Sequence, residues 1–304
     1  MKTTKNKAMM IAFIAPALLT YLLVFLYPTI RTFIMSFFKV ESVTDAVSSW
    51  KFSGFNNYKT LLNTRLFVKS MQNIGLIWLI GGLSVMLVSL TFATILTSGI
   101  HGKKFIRSVI YLPNVISAVA MGTMWINYVF SSDYGFVSHL LNSLGMHNLA
   151  KIQWTGPQSI FWCMLVAYCF GMVGYHMLIW LSGIERIPVD YFEAAGIEGA
   201  NVFQKFSKIT FPLLKGVLRT NIVLWTVSSM SFFVWSQLFS PVNLSSSTVV
   251  PLSYMYELVF GGSSSAVTVR NSGAGAAIGV ILTLIVVTVF ALTQRIVKND
   301  DVEF

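Results

Sequence analysis

Six apolar stretches, at about 8–36, 73–98, 108–130, 159–184, 217–240 and 272–296, dominate the chain and limit what it can become. Each is long enough to cross the hydrocarbon core of a bilayer, which takes roughly 20 residues of helix. Backbone N–H and C=O groups in lipid must pair within the segment, so such runs fold as helices and not as loops or open strands. The expected fold class is all-α, a polytopic membrane protein with six transmembrane helices, built as a single domain over residues 1–304. Charged residues form only 11% of the sequence, against about 25% in an average soluble domain.

The first stretch follows Lys2, Lys5 and Lys7, as a signal peptide does. Its apolar run continues well past Ala15-Pro16-Ala17, so a retained span is expected. Pro16 and Pro28 are expected to kink it. An even number of spans places both termini on one side. Thirteen of the 21 Lys and Arg fall before span 1, between spans 2 and 3, between spans 4 and 5, or after span 6. The short loop "SGIHGKKFIRS" is the densest of these, and short basic loops stay in the cytoplasm. Both termini are therefore expected there. Six basic residues, Arg31, Lys39, Lys51, Lys59, Arg65 and Lys69, work against that bias from the first external loop.

Several classes of function are excluded. The formal charge of +10 accompanies no basic and aromatic stripe on a soluble surface, so no nucleic-acid partner is expected. Cys163 and Cys169 stand about 9 Å apart along one helix, beyond disulfide reach, and no metal-ligand spacing surrounds them. Charge is almost absent inside the spans; Arg31 and Arg219 lie near span ends and His176 is the one intramembrane titratable candidate. Ion-driven carriers bury such groups to run coupling. Neither a phosphate-binding G-x-x-x-x-G-K-[ST] loop nor a catalytic motif occurs, so the chain is expected to be no enzyme and to hold no cofactor or metal. A pore without its own energy source is passive or is driven by another subunit.

The polar segment at 185–216 bears on that choice. Pro188 suits the first turn of a short helix, "PVDYFEAA", with Asp190 and Glu193 near its positive end. Gly196 and Gly199 permit a sharp reversal. Asn201 with Gln204 three residues on has the pattern of a capping box. In the helix that follows, Phe203, Phe206 and Ile209 are expected near one face, with Lys205 and Lys208 on another, and Pro212 to break or bend the chain before span 5. Two readings fit: an amphipathic anchor on lipid, or a docking knob whose small, acidic first helix seats in a partner's groove. The second is favoured because that helix is not basic.

The run "EAAGIEGANVFQKFSKITFPLL" resembles the EAA loop of ABC importer permeases, with Glu193, Ala194, Ala195, Gly199, Ile209 and Pro212 at the family spacing. Glu198, where the carbohydrate branch commonly has Asp, and the "FSKITFPLL" ending are similar to the maltose-type first permease. "FSGFNNYKTLL" resembles the family's external F-x-G-x-x-N-Y stretch, and "YLPNVISAVAMGTMWINYVF" its third span. The resemblance implies a type I permease fold in a bacterial plasma membrane. It also implies an ATPase-coupling surface that includes Asp190, Glu193, Phe203 and Phe206, and ATP with Mg bound by partner subunits. The partners it implies are a second homologous permease, two cytoplasmic ATPases, an extracytoplasmic substrate-binding protein and a carbohydrate substrate, most simply an oligosaccharide. The alternatives are an importer for a polyamine or phosphate ester, and a self-sufficient carrier or channel.

A sugar path needs hydrogen-bond partners for hydroxyls and aromatic faces for ring surfaces. Span 5 offers Asn221, Trp225, Ser228, Ser229, Phe232, Trp235 and Gln237, with Ser231 and Ser236. Span 4 adds Tyr175 and His176, and span 3 adds Asn114 and Asn127. Each has a competing role in helix packing. "GAGAAIG" at 273–279 is expected to be a close-packing face of span 6.

Overall fold

The computed structural model describes residues 2–240, 245–261 and 270–297, with side chains from residue 9 onward. Among the basic residues that set the orientation, Lys298 lies outside the described residues, as do the side chains of Lys2, Lys5 and Lys7. Helix dominates the described residues. Four helices are long and apolar enough to cross a membrane unaided: Met9–Met35, Arg65–Thr97, Ile160–Ile184 and Ser272–Ile296. Two bent pairs complete six spans, Lys103–Val115 with Ala118–Val129, and Lys215–Met230 with Phe233–Phe239.

Three of these differ from the sequence expectation. Span 2 begins at Arg65, eight residues before the apolar run at 73, because "RLFVKSMQ" continues the same helix with Phe67 and Ser70 buried. Span 3 is not one rod. It begins at Lys103 and turns through 96° at Ile116 and Ser117. Pro113 withdraws a backbone donor near the end of the first half, and the Ser117 hydroxyl restarts the helix by accepting from Ala120 N–H at 3.3 Å. Span 5 bends by 45° between Met230 and Phe233. Span 1 is helical throughout, and a wide π-helical turn at Tyr21–Leu26 precedes Pro28.

The contacts group into two compact units, Met1–Arg65 with Tyr254–Thr283 and Leu66–Ser253 with Leu284–Phe304. In the first unit a two-stranded hairpin, β1 (Phe38–Lys39) and β2 (Lys51–Phe52), pairs antiparallel with Phe38 opposite Phe52. Here "FSGFNNY" acquires a structural meaning. Asn57, buried, donates from Nδ2 to the Ser36 carbonyl at 2.8 Å and the Phe38 carbonyl at 2.9 Å. The Tyr58 hydroxyl meets Ser36 Oγ at 2.8 Å, and Gly54 supplies a backbone φ of +54°. At the start of span 6, a Cβ at Gly273 would run into the Phe38 carbonyl, and one at Gly275 would lie 2.5 Å from Val259. Gly279 meets nothing, so of the three glycines the first two are in close contact, while Ala274, Ala276 and Ala277 between and beyond them are buried.

In the second unit span 4 is the central helix. It packs against Gly82–Thr97 of span 2, the first half of span 3, and span 5. At Gly174 the backbones of spans 3 and 4 come so close that a Cβ would strike the Ile110 carbonyl and Tyr111 Cα. Near one end, Leu90, Ala93 and Leu96 of span 2 join Met177, Trp180, Leu181 and Ile184 of span 4, together with Leu214, in one buried cluster.

Candidate functional site: the segment between spans 4 and 5

The polar segment folds as two short helices around a tight reversal. The first, α1 (Val189–Ile197), starts one residue later than expected: Pro188 is its N-cap, with ψ of 137°, rather than its first helical residue. Asp190 sits in the first turn, where the helix dipole favours a carboxylate. The reversal belongs to Gly199 alone, at φ +78°, whereas Gly196 stays inside α1. The Ala200 N–H donates to the Ala195 carbonyl at 2.8 Å and the Gly199 N–H to the Gly196 carbonyl at 3.1 Å. Together these two bonds are the Schellman closure that needs a left-handed residue after the helix cap.

The chain then restarts at α2 (Val202–Lys205) on a capping box. The Gln204 N–H donates to Asn201 Oδ1 at 2.9 Å, and the Asn201 N–H to Gln204 Oε1 at 2.8 Å. Beyond it the helix widens into a π-helical turn, Phe206–Thr210, which resets the angular phase of the side chains. For that reason Phe203, Phe206 and Ile209 do not share a ridge. Phe203 is 75% exposed, Phe206 packs on the buried cluster at the ends of spans 2 and 4, and half-buried Ile209 lines a hollow. Pro212 lies in the first turn of α3 (Phe211–Leu213), and the break before span 5 falls two residues later, at Leu214.

The result is a rigid base under an exposed tip. Leu214 belongs to the buried cluster, and at Gly183 span 4 approaches span 5 closely enough that a Cβ would lie 2.6 Å from Val217. No residue of α1 is buried. Glu193 and Ala194 are open to solvent and Ala195 half-buried. Ile197 at 90% exposure and Val202 at 81% flank the reversal. Sequence reasoning passed over these two; the available signal was a pair of β-branched apolar residues on either side of a turn glycine, where packing has no use for them. Beside the reversal lies an open hollow of about 320 Å³, lined by Ala195, Glu198, Gly199, Ala200, Gln204, Lys205, Lys208 and Ile209.

The candidate path residues divide into two groups. Trp225 N–H donates to the Trp78 carbonyl at 2.8 Å, while the Trp78 indole donates to Thr226 Oγ1 at 2.9 Å, locking span 5 to span 2. His176 Nδ1 and Asn221 Oδ1 stand 2.7 Å apart, both side chains fully buried. Since Asn221 Nδ2 donates to the Val217 carbonyl at 3.1 Å, Oδ1 accepts and His176 donates. His176 Nε2 has no hydrogen-bond partner among the described residues. Ser229, Phe232 and Trp235 are also buried, with Phe232 and Trp235 edge-on to Tyr168. Ser236 is buried too and donates to the Thr248 carbonyl at 2.8 Å. Asn114 donates to the Gly171 carbonyl at 3.2 Å. Tyr175, Ser228 and Gln237 are half-exposed, and Ser231 and Asn127 exposed. The first group is committed to packing in this chain; the second keeps polar atoms within reach of a solute.

Cys163 and Cys169 are unpaired. No cluster of His, Cys, Asp or Glu suited to a metal ion occurs among the described residues.

Six helical spans, with an unburied segment between the fourth and fifth, suit a polytopic membrane-transport subunit. Residues 88–299 match the family described as the binding-protein-dependent transport system inner membrane component, and the chain belongs to that family. It is thus a multi-pass permease subunit of an ABC importer in the inner membrane. It is 28% identical to the probable starch degradation products transport system permease protein AmyD of Thermoanaerobacterium thermosulfurigenes, over 99% of this chain and 98% of that protein. It is 28% identical to the arabinooligosaccharides transport system permease protein AraP of Halalkalibacterium halodurans, over 94% and 88%. A chain from a bacterial ABC transporter involved in import of the acidic polysaccharide alginate has the same fold. It superposes with a TM-score of 0.80 at 20% identity, covering 98% of this chain and 99% of that one.

Proposed function

We propose that this permease imports an oligosaccharide, and that α1 with its reversal is the handle by which cytoplasmic ATPase subunits drive it. The observation that carries the reading is the knob itself: a helix with no buried residue, a carboxylate at Glu193 and apolar Ile197 and Val202 in solvent. A soluble partner is the reason to leave such groups uncovered. A second homologous permease, two ATPases holding ATP and Mg, and an extracytoplasmic binding protein complete the assembly. The oligosaccharide class is supported by relatives whose names specify starch products and arabinooligosaccharides. Half-exposed Tyr175, Ser228 and Gln237 supply hydroxyl and amide groups for such a solute.

The test is reconstitution of the assembly in proteoliposomes with a panel of oligosaccharides and their binding protein. One class of oligosaccharide stimulates ATP hydrolysis and accumulates inside. Glu193→Lys lowers stimulated hydrolysis by at least about 10-fold, the effect of roughly 1.4 kcal/mol of docking energy, while the assembly remains inserted. Unchanged coupling in that variant counts against the handle; stimulation by polyamines or phosphate esters alone counts against the sugar.

A further inference from the structure

The knob hangs between the ends of spans 4 and 5, so it is joined to the bundle through both. At those ends the two helices meet through apolar contacts. Leu214 joins Trp180, Leu181 and Ile184, and a Cβ at Gly183 would lie 2.6 Å from Val217. Apolar burial is non-directional, so it opposes separation more than rotation or sliding. About two turns further into each span stands a directional contact. His176 Nδ1–H donates to Asn221 Oδ1 at 2.7 Å, with both side chains fully buried. One turn beyond Asn221, the Trp225 ring meets His176 edge-on at 5.9 Å, and its indole donates to the Trp78 carbonyl of span 2. A slip of one residue moves a helix by about 1.5 Å and turns its side chains by about 100°. That breaks the His176–Asn221 bond and leaves buried polar atoms unpaired.

We propose that His176 and Asn221 are positioning residues for transport. Their bond fixes the register of spans 4 and 5, so that both helices follow the knob together, given the knob's proposed role as the ATPase handle. Cohesion alone does not call for a polar pair at this point. Met177, Trp180 and Leu181, next along span 4, pack with apolar side chains, and interhelical hydrogen bonds in lipid add little to association. What a buried polar pair adds is a choice of register, because other alignments leave its members unsatisfied.

The experiment compares three variants of the complete assembly in proteoliposomes: His176→Leu with Asn221→Leu, His176→Asn alone, and Glu193→Lys. The solute is maltotriose or arabinotriose, whichever stimulates the unaltered assembly, at saturating concentration. ATP hydrolysis, solute accumulated per ATP and the thermal midpoint are read together. The paired Leu variant removes both polar partners and orphans neither, so midpoint and hydrolysis stay near those of the unaltered assembly. Its solute accumulated per ATP falls by about threefold, the factor that one interhelical hydrogen bond is worth. His176→Asn places an amide N–H where the imidazole Nδ1–H stood and retains most of that ratio. Glu193→Lys instead lowers hydrolysis itself, so a lost handle and a lost register have different signatures. An unchanged ratio in the paired Leu variant overturns the proposal, as does an equal loss in His176→Asn or a midpoint that falls in step with the ratio. Failure of the paired Leu variant to assemble also counts against it, because a bond that only sets register is dispensable for folding. Unchanged hydrolysis in Glu193→Lys, or stimulation by neither sugar, removes the underlying reading and this role with it.

Discussion

Gly199 is the residue on which the knob's shape turns, because its φ of +78° lies where an L side chain is strained. Nothing lies within 4 Å of a Cβ built there, so the cost of Gly199→Ala is backbone strain alone, about 1–2 kcal/mol. That is enough to open the Schellman closure in an exposed helix of nine residues, and stimulated ATP hydrolysis of the assembly is expected to fall. Gly199→Asn, which tolerates the left-handed region, retains more of it. Equal loss in both variants would show that the side chain, not the backbone, matters there. Asn201→Ala removes one half of the capping box, at about 1 kcal/mol, and produces a milder loss in the same assay. The capping box was legible in sequence because it is strictly local: an Asn, a Gln three residues on, and amides with no other donor target. The reversal was only half legible. "GIEG" offers two glycines, and which one becomes left-handed depends on where α1 stops.

At the scale of elements, span 4 makes its closest approach at Gly174, where the backbone of span 3 leaves no space for a Cβ. Gly171, three residues earlier on the same helix, has nothing within 4 Å. The two glycines form a matched pair. Gly174→Ala must push the helices apart and is expected to lower the thermal midpoint of the purified chain in detergent, by an amount in the usual overpacking range of about 1–3 kcal/mol. Gly171→Ala is expected to leave it unchanged. Identical midpoints for both would show that spans 3 and 4 are not in close contact. The spans themselves were readable from apolar length, since lipid admits only helix. Their breaks were not. "LPNVIS" carries a proline, yet so does span 1, which stays helical through Pro16 and Pro28. The 96° turn depends on Ser117 capping a second helix, a choice made by the packing that the two halves find. Trp225 shows the same limit: its spacing suits a sugar path, and only the tertiary fold reveals its indole donating to the Trp78 carbonyl.

For the whole molecule, the decisive property is where work can enter. A carrier driven by an ion gradient needs a group in the spans whose charge state changes as the gradient is spent. Within the described spans the only imidazole is His176, fully buried and engaged with Asn221. Arg31 is held near one end of span 1 by the Val43 carbonyl at 3.3 Å and by the Trp50 ring at 5.6 Å. Neither forms an ion pair among the described residues. On the proposed function, conformational work enters through the knob, whose base at Phe206 and Leu214 joins the same buried cluster as the ends of spans 2 and 4. On that proposal, displacing the knob is expected to displace those helix ends with it, because close-packed interiors transmit strain. Sealed proteoliposomes holding this chain alone should accumulate no oligosaccharide when a proton or sodium gradient is imposed. The same vesicles with the partner subunits and internal or external ATP, according to orientation, should accumulate it. Accumulation by the chain alone, collapsed by an ionophore, would place the energy source inside the bundle and leave the knob without its mechanical role.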